Sequence, residues 1–223
     1  SAASDVYKRQ EVETHSPFRK KMLPEVSAMF TALAPYAGFG MKLVFGNLWL
    51  FGPLLKAVMP SLSAQAGAML KTTIAFTVQK GSDAYNVLPQ EAYVGANMRF
   101  IPHQGEKESL EIIKKVADKY GLETEVLHAN DYTPPVDIHG EAFHLVEQTI
   151  ADTFPGLPSS PYVMTGATDA QFYQPICKSC IRFAPVIYGP EQMKGMHGLN
   201  ENIEYNCLPG AVRFYKNLIR AEK

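Results

Sequence analysis

The stretch "GEKESLEIIKKVADKYG", residues 105 to 121, decides the fold class because it predicts one amphipathic helix with both ends marked. Acidic residues occupy its first turns, where they complement the helix dipole, and Gly121 follows the last turn as a stop signal. The apolar residues recur at helical spacing and are expected to face inward: Leu110, Ile112, Ile113 and Val116.

Predicted strands flank this helix on both sides. They are the alternating, β-branched "TTIAFTVQK" (72–80), the stretch "QEAYVGANMRFIP" (90–102) and the stretch "LETEVLHAN" (122–130). The order β-β-α-β predicts a small antiparallel sheet with helices on one face, which is an α+β module.

The region before this module is predicted to be helical. "KKMLPEVSAMFTALAPY" (20–36) has apolar residues at helical spacing, and "LVFGNLWLFGPLL" (43–55) is the most apolar run of the chain. Glycine and proline interrupt that run, and it is shorter than the roughly 20 residues that a membrane helix needs. We therefore expect a buried or partner-facing amphipathic helical hairpin and no membrane span.

The region after the module alternates helix and strand. "YTPPVD" (132–137) is typical of a linker stiffened by proline. Beyond it we expect, in order, a helix at 140–154, a strand at 161–165, a short helix at 169–176, a strand at 180–187 and a final helix at 208–223. This alternation predicts a parallel-type sheet, and two or three strands amount to about half of such an α/β domain.

The composition is that of a globular protein and excludes some partners. Hydrophobic residues make up 46% of the 223 residues, and 21 basic against 22 acidic residues give a net charge of -1. This balance does not favour nucleic acid or anionic lipid as a partner. Three cysteines cannot form a closed disulfide framework. Residues 1–10 are interpreted as a non-native leader that resembles translated adapter sequence, with a native polar tail as the alternative.

Two turns carry candidate functional residues. In "MKGMHGLNENIEY" (193–205), glycines flank His197, and a neutral imidazole is the commonest metal ligand; an idle surface histidine is the alternative. In "TGATDAQFY" (165–173), Gly166 and Thr168 follow a predicted strand end, where α/β folds build sites. The alternative there is a plain strand-turn-helix in which Asp169 caps the helix.

A third candidate pair lies in the predicted module. Asn86 and Arg99 are 99 − 86 = 13 residues apart, and Arg99 ends an otherwise apolar strand. A guanidinium binds a carboxylate in a bidentate fork, whereas an edge-strand arginine facing solvent is the alternative. Cys177 and Cys180 have CxxC spacing, but no second pair exists to complete a zinc site. We interpret them as ordinary structural cysteines.

Four short motifs, taken in order, resemble one enzyme family. They are "NVLP" (86–89), "ANMRF" (96–100), "TGATDA" (165–170) and "MHGLNE" (196–201). The chain from residue 11 onward resembles the di-zinc aminoacylase/carboxypeptidase (peptidase M20) family, nearest to its carboxypeptidase S / N-acyl-amino-acid hydrolase-synthase branch. The resemblance implies a ferredoxin-like β-α-β lid (dimerisation) domain over 11–133, with an apolar helical insertion at about 37–70. Residues 134–223 would form the C-terminal part of an α/β zinc-hydrolase catalytic domain.

The resemblance also implies roles for individual residues. His197 would be a ligand of one of two zinc ions, and Glu201 would hold its turn or support that ligand from behind. Asn86 and Arg99 would grip the free carboxylate of the substrate. The pocket near the scissile amide would be lined by Gly166, Thr168 and Asp169. Two positions depart from the family pattern, Ala167 in place of a second glycine and Gln171 in place of a frequent arginine.

The function implied is zinc-dependent hydrolysis of the amide bond of dipeptides or N-acyl amino acids with a free carboxylate. The family's remaining metal ligands and its general base precede the lid, and nothing in residues 1–70 matches them. We therefore expect a fragment that is inactive alone. The alternatives are a non-catalytic lid-type binding or dimerisation module and a short protein that has lost its active site. A homodimer through the lid is one possibility that the resemblance implies. The sequence leaves open both the oligomeric state and the compartment, which is cytoplasm, vacuole or secretion.

Overall fold

A computed structural model describes residues 8–62, 64–130, 132–166 and 168–222. Most of the leader predicted at 1–10 and the family departure at Ala167 therefore lie outside the described residues. The chain divides into two units, one formed by Ser1–Pro135 with Val163–Ala167 and the other by Val136–Tyr162 with Thr168–Lys223. The predicted lid region at 11–133 and catalytic region at 134–223 stay predictions.

The first unit begins with helices and continues into a two-stranded sheet. The helices are α1 (Arg9–Thr14), α2 (Pro24–Leu33), α3 (Phe39–Gly46), α4 (Leu48–Leu62) and α5 (Ala64–Ala68). Strand β1 (Thr73–Lys80) pairs antiparallel with β2 (Tyr93–Arg99), so that Thr73 lies opposite Arg99 and Lys80 opposite Tyr93. Helix α6 (Glu106–Lys119) follows. Helices with a small antiparallel sheet confirm the predicted mixed α/β class.

A buried polar cluster joins the start of β1 to the first turn of α6. Thr72 Oγ1 donates to the Gln104 carbonyl oxygen at 3.0 Å, and Ser109 Oγ donates to the same oxygen at 2.9 Å. The Gln104 side-chain oxygen in turn accepts from the Arg19 backbone N–H at 3.0 Å. All three cluster residues are buried, and because their polar groups are paired, burying them carries no large penalty. An apolar core lies beside this cluster, formed by Leu23, Val26, Met29, Met69 and Ile101, with Val163 packed against it.

Helix α6 ends as predicted. Gly121 has φ +65°, and the N–H groups of Gly121 and Leu122 donate to the carbonyls of Asp118 and Ala117 at 3.0 Å each. This is a Schellman motif, which requires the left-handed residue that glycine supplies. The four apolar residues predicted to face inward are only half-buried; among the residues of α6 it is Ser109 that is fully buried.

The third strand predicted at 122–130 is wrong. The described part of the chain has two strands in one sheet, and residues 122–130 join no ladder. An alternating sequence becomes a strand only where a neighbouring strand takes up its backbone N–H and C=O groups. Here Val126 and Leu127 are exposed, so no packed face compensates for the missing partner.

The apolar run at 43–55 forms a bent helix pair in place of the expected hairpin. Helices α3 and α4 meet at Asn47 with a bend of 108°. Across the described chain, neither these nor any other single helix has the length and hydropathy for a membrane crossing, although the bent pair meets both requirements when its helices are combined. The expectation of burial is wrong for most of this run, because Leu43, Trp49, Leu50 and Leu54 are exposed.

The second unit is built on two long helices. These are α7 (Glu141–Thr153) and α10 (Leu208–Ala221); between them in sequence come α8 (Ala170–Tyr173) and α9 (Pro190–Gly195). Phe214 is 1% exposed and its ring lies 4.8 Å from that of Phe183. A Cβ at Gly210 would lie 2.9 Å from Phe154 Cε1, so glycine permits the close approach of α10.

The parallel-type sheet predicted for this region is also wrong. Residues 161–165 and 180–187 join no ladder within the described chain. Parallel strands are stabilised by neighbours within one sheet and by helices on both faces. Two short apolar runs with no strand beside them cannot form such a sheet, although the helices predicted around them are present.

Candidate functional site

Arg99 is the last residue of β2, and a backbone carbonyl fixes its side chain. Its Nη1 donates to the Thr165 carbonyl oxygen at 2.9 Å. A Cβ at Gly166 would lie 3.6 Å from the same nitrogen, so the chain passes directly beside the guanidinium. Arg99 is exposed, and within the described residues its other donors have no hydrogen-bond partner. The Thr165 carbonyl therefore orients the guanidinium, and the remaining N–H groups of Arg99 are free to bind a ligand.

Asn86 lies in the loop that connects β1 to β2, and it is exposed. The register places this loop at the Lys80–Tyr93 end of the sheet, whereas Arg99 pairs with Thr73 at the opposite end. Six residue steps along β2 correspond to roughly 20 Å. Within one chain, the two residues predicted to share a carboxylate are thus at opposite ends of the hairpin.

Thr168 and Asp169 belong to the second unit, at the start of α8. Thr168 Oγ1 accepts a hydrogen bond from Arg182 Nε at 3.1 Å, and the Thr168 carbonyl accepts from the Gln171 N–H at 3.2 Å. The alternative in which Asp169 caps the helix is wrong: Asp169 occupies the N-cap position with a helical backbone, and its side chain makes no cap hydrogen bond. A carboxylate caps well only from an extended backbone, which directs it at the N–H groups of the first turn.

Arg182 was missed by the sequence reasoning. It lies within the apolar run at 180–187. Arg99 was singled out because it is a cation in an apolar segment, and the same signal applies to Arg182. Its contact with Thr168 makes it a candidate to orient that hydroxyl.

His197 occupies a strained position in a tight turn. Met196 has φ −58° and ψ 123°, His197 has φ +59°, and the Gly198 N–H donates to the Gly195 carbonyl at 2.8 Å. These angles define a type II turn with His197 at the third position, which normally takes glycine. The residue is exposed. Strained backbone of this kind clusters at functional sites.

The turn is held by residues other than those predicted. Gln192 is buried; its Nε2 donates to Asn202 Oδ1 at 3.1 Å, and Asn202 Nδ2 donates to the Asn200 carbonyl at 2.8 Å. A Cβ at Gly195 would lie 3.4 Å from the backbone of Asn200 and Glu201. The glycine therefore lets the loop close on itself. Glu201 is exposed and makes no side-chain hydrogen bond to this described loop, so its role in the turn or behind the ligand stays a prediction.

The described residues contain no group of three or more histidine, cysteine or acidic side chains that could hold a metal ion. His197 offers one imidazole, which is not a zinc site by itself. Cys177, Cys180 and Cys207 are free thiols. The Cys180 Sγ donates to the Cys177 carbonyl at 3.2 Å, and burial raises the pKa of the Cys180 thiol. A raised pKa disfavours the thiolate form. The interpretation of the CxxC pair as structural stays a prediction.

Comparison with known proteins places the chain in a family. The model of "Peptidase family M20/M25/M40" matches residues 22–221. The N-fatty-acyl-amino acid synthase/hydrolase PM20D1 of Xenopus tropicalis is 34% identical over 194 residues, which are 86% of this chain and 38% of that protein. The human protein of the same name is 31% identical over 198 residues, 87% of this chain and 39% of that protein.

More distant relatives include a carboxypeptidase S-like protein of Dictyostelium discoideum, 25% identical over 94% of this chain and 40% of that protein. No solved structure matches the chain. The chain thus spans about two fifths of the length of the curated relatives it matches. These relatives confirm the predicted branch, and the family model covers most of the sequence: the chain belongs to peptidase family M20/M25/M40.

Proposed function

We propose that the full-length protein hydrolyses the amide bond of N-acyl amino acids or dipeptides that carry a free carboxylate. Membership of the M20 family, which is generally metal-dependent, supports this reaction class. The names of the Xenopus and human relatives specify N-fatty-acyl amino acids, and the present chain would take the same substrate class.

The observation that carries the proposal is the guanidinium of Arg99. The Thr165 carbonyl holds one of its nitrogens, while the remaining N–H groups have no hydrogen-bond partner in the described chain. A planar fork pre-organised in this way suits a carboxylate, because two parallel hydrogen bonds form with little loss of side-chain freedom. We assign the substrate carboxylate to Arg99. Asn86, at the other end of the hairpin, would contact the substrate at a separate point.

Gly166, Thr168 and Asp169 would each contact the substrate near its scissile amide. Thr168 is the best supported of the three, because Arg182 orients its hydroxyl. His197 would bind a zinc ion through its imidazole. Glu201 would not bind the metal itself but would help to hold His197 in place. The remaining ligands of a zinc pair would come from sequence outside this chain. On this proposal the 223-residue chain is inactive alone.

Kinetics of the full-length gene product test the role of Arg99. Charge-assisted hydrogen bonds contribute about 1.5–3 kcal/mol, so Arg99→Ala should lower kcat/KM for an N-acyl amino acid by about 10- to 150-fold. Arg99→Lys keeps the charge and loses the fork, and should fall in between. The methyl ester of the same substrate lacks the carboxylate and should be affected little.

Arg213→Ala is the matched control, because Arg213 is an exposed arginine on α10. It should leave both substrates unaffected. Equal losses for acid and ester in the Arg99 variants would show that Arg99 does not bind the carboxylate.

A second candidate function is a non-catalytic lid-type binding or dimerisation module. It is favoured by the sheet, because each of its two strands has an outer edge unpaired in the described chain, and such edges pair readily with another chain. On this view two copies would join edge to edge. Light scattering of the purified chain distinguishes the cases: a dimer, together with a full-length product lacking zinc and activity, favours the module, whereas a monomer at all concentrations rules it out.

A further inference from the structure

Helix α4 presents a continuous apolar face to solvent. Its exposed residues form adjacent pairs that repeat every four residues, and this spacing places them on one side of the helix. We name this face the apolar stripe; seven of its eight residues are apolar, and it consists of Trp49, Leu50, Pro53, Leu54, Ala57, Val58, Ser61 and Leu62. At 1.5 Å per residue it is about 20 Å long. A patch of this size is a sign of an interaction surface.

The opposite side of α4 is docked in the protein. Leu55 and Met59 are buried, so the helix is anchored in the unit while the stripe remains outside. Helix α3 is anchored separately, because the Phe45 ring lies 4.7 Å from that of Phe30. At the other end of the same helix, the first residue, Phe39, is 87% exposed. The two helices therefore expose apolar surface although both are packed on the same unit.

Asn47 fixes the bend between the two helices. Its Nδ2 donates to the Leu43 carbonyl at 2.8 Å, and its own carbonyl accepts the N–H groups of Leu50 and Phe51 at 3.0 Å each. A pair bent by 108° cannot form one straight span. The 15 residues of α4 measure about 22 Å, against the roughly 30 Å of a bilayer core. Both helices are suited to lie along an interface.

The charges of this segment indicate which interface it fits. Phe39–Leu62 contains two lysines, Lys42 and Lys56, and no acidic residue, and neither lysine has an ion-pair partner among the described side chains. Basic residues beside exposed tryptophan, phenylalanine and leucine are typical of helices that bind in the headgroup region. A second copy would bring like charges together, which opposes self-association.

We propose that α3 and α4 dock this unit on an anionic lipid surface, with the apolar stripe inserted at the headgroup boundary and the two lysines supplying attraction to the negative charge of that surface. The even balance of charge over the whole chain had argued against anionic lipid; the local balance of this segment reverses that expectation. The proposal does not depend on the catalytic roles assigned above, since none of those residues belongs to the segment.

Trp49 makes the proposal directly measurable. It is the only tryptophan of the chain, it is 81% exposed, and it belongs to the stripe. Phosphatidylcholine vesicles containing phosphatidylserine should shift its emission to the blue and protect it from iodide. Pure phosphatidylcholine should do so much less, and salt should weaken the effect, because screening reduces attraction to the charged surface.

Two substitutions provide a matched comparison. Leu54→Glu places a carboxylate in the stripe, where Leu54 is 59% exposed, and should lower partitioning in vesicle flotation by roughly tenfold or more. Leu127→Glu makes the same change at a residue of the same unit that is 88% exposed and outside the stripe, and should not. The double variant Lys42→Gln/Lys56→Gln should reduce the preference for anionic vesicles. Circular dichroism verifies that each variant is folded.

Several results would overturn the proposal. They are equal binding to neutral and anionic vesicles, no change of Trp49 emission with either, and equal losses in the two glutamate variants. A blue shift without vesicles that accompanies a doubling of mass would assign the stripe to a second copy. If the full-length gene product shields Trp49 without lipid while remaining monomeric, another part of the protein covers the stripe, and the proposal fails.

Discussion

Replacing His197 by glycine should make the protein more stable while removing the imidazole that we propose as a zinc ligand. The residue has φ +59° at the third position of a type II turn. A left-handed conformation costs a non-glycine residue about 1–2 kcal/mol. Glycine adopts it freely but loses about 0.5–1 kcal/mol of backbone entropy on folding. The difference is a net stabilisation of about 0.5–1 kcal/mol, or a two- to fivefold rise in the folded-to-unfolded ratio.

Asn200 supplies the control. It has φ +60° in the same loop and is not assigned to the metal. Asn200→Gly should stabilise less, because the short polar side chain of asparagine can hydrogen-bond locally in this conformation, and it should leave zinc content unchanged. His197→Ala removes the imidazole but keeps the strain, so it should lose zinc without gaining stability.

Two measurements decide the matter. Urea unfolding of the purified chain, followed by circular dichroism, gives the stabilities, and metal analysis of the full-length gene product gives the zinc content. If His197→Gly lowers the free energy of unfolding, the turn is not strained by its side chain. If it retains two tightly bound zinc ions, His197 is not a ligand.

Three further outcomes are expected. Phe214→Ala should destabilise the second unit by about 3–5 kcal/mol, because the ring is 1% exposed; a change below 1 kcal/mol in urea unfolding would contradict the packing. Cys177→Ser should leave the metal content of the full-length product unchanged, and a loss would give the CxxC pair a metal role. The Tyr120 hydroxyl and the Lys119 ammonium lower the pKa of Glu11 below its ordinary 4.5. Its contribution to stability is therefore present above pH 4.5 and lost as the pH falls through the lowered value; Glu11→Gln should flatten the acid limb of a stability–pH curve, and an unaltered limb would show that this carboxyl contributes nothing.

The elements that could be predicted are those whose signal is local. Helix α6 has apolar spacing, acidic first turns and a glycine stop within 17 residues (105–121), and each of these signals acts over one or two turns. The strands that failed, at 122–130, 161–165 and 180–187, depend on a neighbouring strand. Alternation or apolar content alone does not supply that neighbour.

The candidate site residues also divide into those that a local sequence signal identifies and those that depend on distant contacts. Arg99 could be singled out because a cation in an apolar strand is unusual, and the Thr165 carbonyl that orients it lies 66 residues away along the chain. The strain at His197 could not be inferred, since it arises from the backbone path between Gly195 and Gly198. Gln192 holds that loop through a side-chain contact across ten residues, for which no sequence pattern exists.

The first unit includes Val163–Ala167, a segment that follows 27 residues of the second unit, Val136–Tyr162. During synthesis, therefore, all 27 of these residues must leave the ribosome before Val163 can join the core and Thr165 can meet Arg99. The N-terminal unit cannot finish folding in simple order of synthesis, as domains generally do. A chain that stops at residue 135 would carry the arginine without its acceptor, and such a truncated protein would be unsuitable for measuring carboxylate binding.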